Sequence, residues 1–103
     1  MFKTTFRVPL ADNIGVKFAP NDWVWLYDQL VSRYGGYTIE GQASGGWLHG
    51  DDLYEEPSYT ITVVTGFSGV WSLKRFVADD VKVRFRQLAM YHEVQWGTWV
   101  SLI

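Results

Sequence analysis

Residues 47–56, Trp47-Leu48-His49-Gly50-Asp51-Asp52-Leu53-Tyr54-Glu55-Glu56, gather one histidine, four carboxylates and two aromatic rings in ten positions. A histidine beside paired acids has the ingredients of a divalent-metal site, or of a general base whose tautomer a carboxylate fixes. The spacing matches neither H-E-x-x-H nor an EF-hand loop. Adjacent Asp51 and Asp52 are ordinary in a solvated turn, so His49, Asp51 and Asp52 are read as an acidic hairpin loop, with no metal and no cofactor assigned.

A second constellation is Tyr91-His92-Glu93. On a strand, Tyr91 and Glu93 point to one face and His92 to the other. His92 then reads as a partly buried structural histidine. A carboxylate beside rings has its pKa raised by desolvation, which favours Tyr91 and Glu93 as site residues. Glu56, Tyr91 and Glu93 are therefore the catalytic candidates, and Trp47, Tyr54, Tyr91 and Glu93 the ligand-contact candidates. Electron-rich rings beside carboxylates suit a cationic ligand. Trp47 follows Gly45 and Gly46, which permit close approach of a ligand.

Other devices are missing from the sequence. There is no cysteine, hence no disulfide, thiolate metal site or thiol nucleophile. Gly41-x-x-x-Gly45-Gly46 lacks the Lys-Ser/Thr of a phosphate-binding loop, and no Gly-x-Ser-x-Gly elbow exists. Tyr59-Thr60-Ile61-Thr62-Val63 does not supply the basic-Gly-aromatic signature of an RNA-reading sheet. A formal charge of -2 gives no electrostatic footprint for nucleic acid.

The elements that must position these residues follow from periodicity. Phe2, Thr4, Phe6, Val8 and Leu10 alternate with Lys3, Thr5, Arg7 and Pro9, a strand with one buried face that Pro9 ends or turns to an edge. Trp23, Leu26, Tyr27, Leu30, Val31 and Tyr34 form one stripe of a helix. Pro20 suits its first position, Phe18 is placed to staple onto Trp23, and Gly35-Gly36 stops it. A second strand runs from Tyr37 toward Trp47, and a third starts near Ser58 after a long acidic connection through His49 and Pro57. Ser68 is placed to cap a second helix carrying Val70, Leu73, Val77, Val81 and Phe85 on one face, with Asp80 and Arg84 as an i,i+4 pair. Residues 88–94 read as a fourth strand and residues 96–103 as a last one.

The order is β-α-β-β-α-β, a ferredoxin-like α+β plait with an extra C-terminal strand and two helices on one face of an antiparallel sheet. With 103 residues the chain is one domain, 1–103, able to bury about 65% of its surface. Absence of a signal-like apolar run and of any membrane-length span makes a cytoplasmic, membrane-free location the expectation. Six Trp, six Tyr and six Phe carry roughly 3,600 Å² of ring surface, more than so small a core absorbs. Some rings are thus expected at a pocket or a subunit interface. The apolar run Trp96, Trp99, Val100, Leu102 and Ile103 adds to the case for self-association, most simply as a homodimer.

The chain resembles a family of small bacterial proteins with no assigned activity. The matching pieces are Phe6-x-Val8-Pro9-Leu10-x-x-Asn13-x-Gly15, Arg33-Tyr34-Gly35-Gly36-Tyr37-Thr38, Gly46-Trp47, Tyr54-x-Glu56-x-Ser58, and Arg84-Phe85-Arg86-Gln87-x-Ala89-x-Tyr91-x-Glu93-Val94. The resemblance covers nearly the whole chain and implies the fold. A more distant likeness is to phage enzymes that degrade S-adenosylmethionine at a subunit interface with carboxylates and an aromatic residue. Relatives carry Glu directly after the glutamine, where this chain has Leu88, which weakens transfer of that activity. The expectation is an oligomeric binding or interaction module with an aromatic-lined small-molecule pocket. The alternative is a small hydrolase or lyase for a polar or cationic metabolite at a subunit interface. Partners are a second copy and a small molecule, with no nucleic acid and no membrane.

Overall fold

The computed structural model describes residues 1–96, with residues 45–47, 49, 52 and 54–56 described by their backbone pairing alone. Its elements run β1 (Phe2–Pro9), α1 (Pro20–Tyr34), β2 (Thr38–His49), β3 (Asp52–Thr65), α2 (Phe67–Phe76), a π-helical turn (Val77–Val81), α3 (Lys82–Arg84) and β4 (His92–Gln95). The sheet order is β2-β3-β1-β4, with every neighbouring pair antiparallel. This is the ferredoxin-like α+β plait, its two central strands each leading into a helix. The extra C-terminal strand expected from the sequence falls on residues 97–103, outside the described residues.

One sheet face carries the core. Phe6 and Val8 of β1 and Ile61 and Val63 of β3 meet Leu26 and Leu30 of α1 and Val70, Leu73, Phe76, Val77, Val81 and Phe85 of the second helical segment. Helix α1 begins as expected: Ala19 is the N-cap, Pro20 is first in the helix, and the Phe18 and Trp23 rings meet edge-on at 6.3 Å. Gly35 closes it in the left-handed conformation at φ 83°. Val31, counted in the apolar stripe, lies beyond its rim and is 52% exposed.

The second helix departs from the expectation in three ways. It starts at Phe67 with Gly66 as N-cap and no side-chain cap bond, so Ser68 lies inside the first turn and does not cap. Gly69 there packs on Thr65 so closely that a Cβ would sit 2.6 Å from the Thr65 side chain. The apolar residues recur every four positions from Leu73 to Phe85, and twelve residues of α-helix would swing that face by about 120°. A π-helical turn widens the winding and keeps Val77, Val81 and Phe85 inward. Finally, Arg84 pairs with Asp22 at 3.0 Å and Asp80 with Arg33 at 3.9 Å, so the expected Asp80 to Arg84 pair gives way to two ties across to α1.

The long acidic connection is absent. Strands β2 and β3 pair without interruption from Ser44↔Pro57 to His49↔Asp52 around a two-residue turn, Gly50-Asp51, in which Gly50 has φ 65°. Trp47 does not end a strand; it sits inside β2 opposite Tyr54. Pro57 is accommodated because β1 ends there: its carbonyl accepts Leu10 N–H at 3.1 Å, and the N–H it lacks would point to the same side, past the last β1 pair, Pro9↔Ser58. The fourth strand also starts later than residue 88. Arg86 at φ 50° turns the chain out of the helix, and residues 86–91 carry it back to the sheet edge.

Candidate functional site

The face of the sheet away from the helices is polar. Because Phe6 and Val8 point to the core, Thr5 and Arg7 of β1 point to the open face, and their direct partners Thr62 and Thr60 of β3 share it. Thr5 and Thr62 hydroxyls are hydrogen-bonded at 3.3 Å. Lys3 Nζ reaches across β3 to Glu40 Oε1 at 3.2 Å.

Edge strand β4 completes this face. Glu93 is the partner of Thr5, and Arg7 N–H donates to the Tyr91 carbonyl at 3.2 Å, so Tyr91 and Glu93 stand on the open face as alternation requires. The Tyr91 hydroxyl donates to Glu93 Oε2. That hydrogen bond, with burial and the Glu93 charge, raises the Tyr91 pKa above the ordinary phenol value, and Arg7 offsets it only in part. The Tyr91 phenol is therefore held in its protonated, donating form. The Arg7 guanidinium carbon lies 4.3 Å from the Tyr91 ring centroid, stacking cation on ring.

His92 points the other way. It is the partner of core-facing Phe6, and burial together with the positive charge of Lys74 holds its pKa below the ordinary imidazole value. His92 is thus a half-buried histidine on the core side of the sheet, with its Nε2 buried and without a hydrogen-bond partner among the described residues.

The sequence candidates thus fall into two groups. Tyr91 and Glu93 meet on β4. Trp47, Tyr54 and Glu56 belong to the β2–β3 ribbon, where Trp47 pairs with Tyr54 and Glu56 with Gly45. Along β3, Glu56 is six residues from Thr62, which lies level with Glu93; six residues of strand span about 20 Å. The backbone of one chain therefore does not bring Glu56 to Glu93. Of the acidic tip, the His49 and Asp52 side chains lie outside the description, and no cluster of three or more His, Asp or Glu suited to a metal occurs among the described residues.

Arg7 was missed as a site residue. Alternation with Phe6 and Val8 sets Arg7 on the open face; its mid-sheet position follows from the strand order, in which β1 is central. Among the described residues, most rings outside the core and away from Tyr91 fall into two groups. Trp23, Trp25, Tyr27, Tyr34, Tyr37 and Tyr59 pack against the core rim. Phe2, Phe67, Trp71 and Trp96 form a second cluster with centroids 5.1 to 6.4 Å apart, in which Phe67, Trp71 and Trp96 are each more than half exposed.

No family model matches the chain, and no curated protein does. Solved structures do. A phage SAM lyase in complex with S-methyl-5'-thioadenosine superposes with a TM-score of 0.70 at 16% identity, covering 91% of this chain and 79% of that one. CutA1 from Pyrococcus horikoshii superposes at 0.67 with 9% identity, covering 98% and 87%. The divalent cation tolerance protein (Cut A1) from Thermus thermophilus gives 0.66 at 12% identity, covering 98% and 88%. At these identities the likeness is one of fold. The chain is a small ferredoxin-like α+β module, and no helix among its described residues is long and apolar enough to cross a membrane.

Proposed function

We propose that the protein is a homo-oligomeric small-molecule-binding module whose site is completed between copies. The observation that carries this reading is the ribbon. Six residue pairs, from Ser44↔Pro57 to His49↔Asp52, extend past the end of β1, and among the described residues no third strand lies beside them. A two-stranded ribbon is at best marginally stable in water. Directly paired Leu48 and Leu53 are 69% and 58% exposed, a poor arrangement for a free arm and a good one for an arm laid on a second copy. Such docking supplies what one chain lacks: Trp47, Tyr54 and Glu56 of one copy beside Tyr91 and Glu93 of another. The test is a pair of measurements on the wild type and on L48D/L53D. Light scattering reads the association state, and calorimetry with S-methyl-5'-thioadenosine as probe reads the ligand site. The reading expects both to be lost together in the variant; an associated variant, or binding that survives in a monomer, overturns it.

A second reading is a lyase, favoured by the Tyr91 to Glu93 hydrogen bond, which offers a proton donor and a carboxylate acceptor side by side. The phage SAM lyase fold supports the sulfonium metabolite S-adenosylmethionine as the first substrate to assay. Chromatographic detection of released S-methyl-5'-thioadenosine, lost in E93Q, is the result this reading expects. No release by wild-type protein above the uncatalysed rate rejects it.

A further inference from the structure

Four arginines in this chain lie over aromatic rings: Arg7 over Tyr91 at 4.3 Å, Arg33 over Phe76 at 4.3 Å, Arg84 over Trp25 at 4.6 Å and Arg86 over Phe18 at 5.0 Å. Three of them are also held by a carboxylate, Arg33 by Asp80, Arg84 by Asp22 and Arg86 by Asp12, at 3.9, 3.0 and 3.4 Å. Among the described residues Arg7 has none. The acids nearest in register are engaged, Glu93 by the Tyr91 hydroxyl and Glu40 by Lys3.

Arg7 is also the arginine most withdrawn from water among these four. Its Nε is buried and meets no acceptor, so only the outer edge of the guanidinium is left to bind. A half-buried charge with no counter-charge is costly unless something pairs with it. The Tyr91 ring, 4.3 Å from the guanidinium carbon, holds one side of the fork, and the directly paired Thr60, with Thr62 and Thr5 alongside, lines the same face with neutral hydroxyls. A planar, pre-oriented fork edged by hydroxyls is chemistry for an oxyanion.

We propose that Arg7 is a ligand-binding residue that takes the oxyanion end, carboxylate or phosphate, of the small molecule bound on the open face. The proposal rests on the binding-module reading and refines it: a ligand that is only cationic would meet Arg7 as a like charge, so the ligand carries an anionic group placed over β1 and β3. Glu93 and Tyr91 are left for its neutral or cationic part, the part for which S-methyl-5'-thioadenosine, which has no anionic group, serves as probe.

The test is an NMR titration of the Arg7 Nε–Hε resonance, identified by its loss in Arg7→Lys, with acetate in one arm and inorganic phosphate in the other. Chloride is exchanged to hold ionic strength constant. A saturating shift with a midpoint on the order of 1 mM or tighter, at Arg7 and not at Arg33, Arg84 or Arg86, is expected. The arm that saturates earlier names the oxyanion. In Arg7→Gln the accompanying Thr60 and Thr62 amide shifts should weaken at least about tenfold. A linear, non-saturating response at Arg7, or Thr60 and Thr62 shifts undiminished in Arg7→Gln, overturns the proposal. If Arg7→Gln fails to fold, the wild-type titration alone decides. A failure of the association reading is separable, since it gives a monomer by light scattering with the Arg7 response intact, and L48D/L53D is titrated in parallel for that reason.

Discussion

Strands β2 and β3 are one hairpin with two environments. Below Pro9↔Ser58, β3 lies between β1 and β2 under a helical layer, and its alternation is sharp: Ile61 and Val63 are buried in the core, while Thr60 and Thr62 face away. Above that pair the same strands continue as a ribbon with no β1 beside them, and leucines at directly paired positions are exposed. The difference teaches that strand propensity and pairing built both halves, but among the described residues only the lower half is covered by other elements of the same chain. The proposed cover for the upper half is a second copy.

The largest contrast is in stability. Phe85→Ala and Leu30→Ala, both fully buried beneath the lower half, should cost about 3–5 and 2–5 kcal/mol of unfolding free energy by denaturant titration. Either loss approaches the whole stability of a small domain. In the ribbon, L48D/L53D should leave the dilute monomer within about 0.5 kcal/mol of wild type per site, because both positions are exposed. It should also remove the concentration dependence of Tm that association confers. A ribbon variant that melts like the core variants would erase the distinction between the halves.

Effects at the open face should be smaller still on folding and larger on function. Tyr91→Phe removes the donor to Glu93 and keeps the ring under Arg7, so the fold should hold while affinity for S-methyl-5'-thioadenosine falls about tenfold, the scale of one charge-assisted hydrogen bond. The smallest expected effect is the pH response of His92. Its pKa is lowered in the folded state, so the protonated form is favoured in the unfolded chain, and the stability it contributes is present above the ordinary value of 6.5 and lost as pH falls below it. His92→Gln should flatten the decline in Tm between neutral and mildly acid pH. An unchanged acid limb would mean that carboxylates alone set it.

Much of the fold was legible because burial writes a period into the chain. The β1 alternation, the α1 stripe with its Phe18 staple and Gly35 stop, and the plait itself all came from that source. The π-helical turn was legible too, in the fourfold recurrence of Leu73, Val77, Val81 and Phe85, but an α-helical template hides it. From His49 to Pro57 the ribbon reads as a loop because Gly50, Asp51, Asp52 and Pro57 carry turn chemistry, yet two of those four, Asp52 and Pro57, lie in strand β3. Of the candidate site, alternation alone put Tyr91 and Glu93 together and set His92 apart. Arg7 and the distance from Glu56 depend on which strands are neighbours, and local pattern does not encode that.

The account turns on whether the ribbon is used between copies, and multi-angle light scattering at micromolar concentration measures this most directly. It predicts a particle at a whole-number multiple, two or more, of the 11.9 kDa chain for the wild type, and the single-chain mass for L48D/L53D. A wild-type particle of 11.9 kDa, or an undiminished mass in the variant, would contradict it.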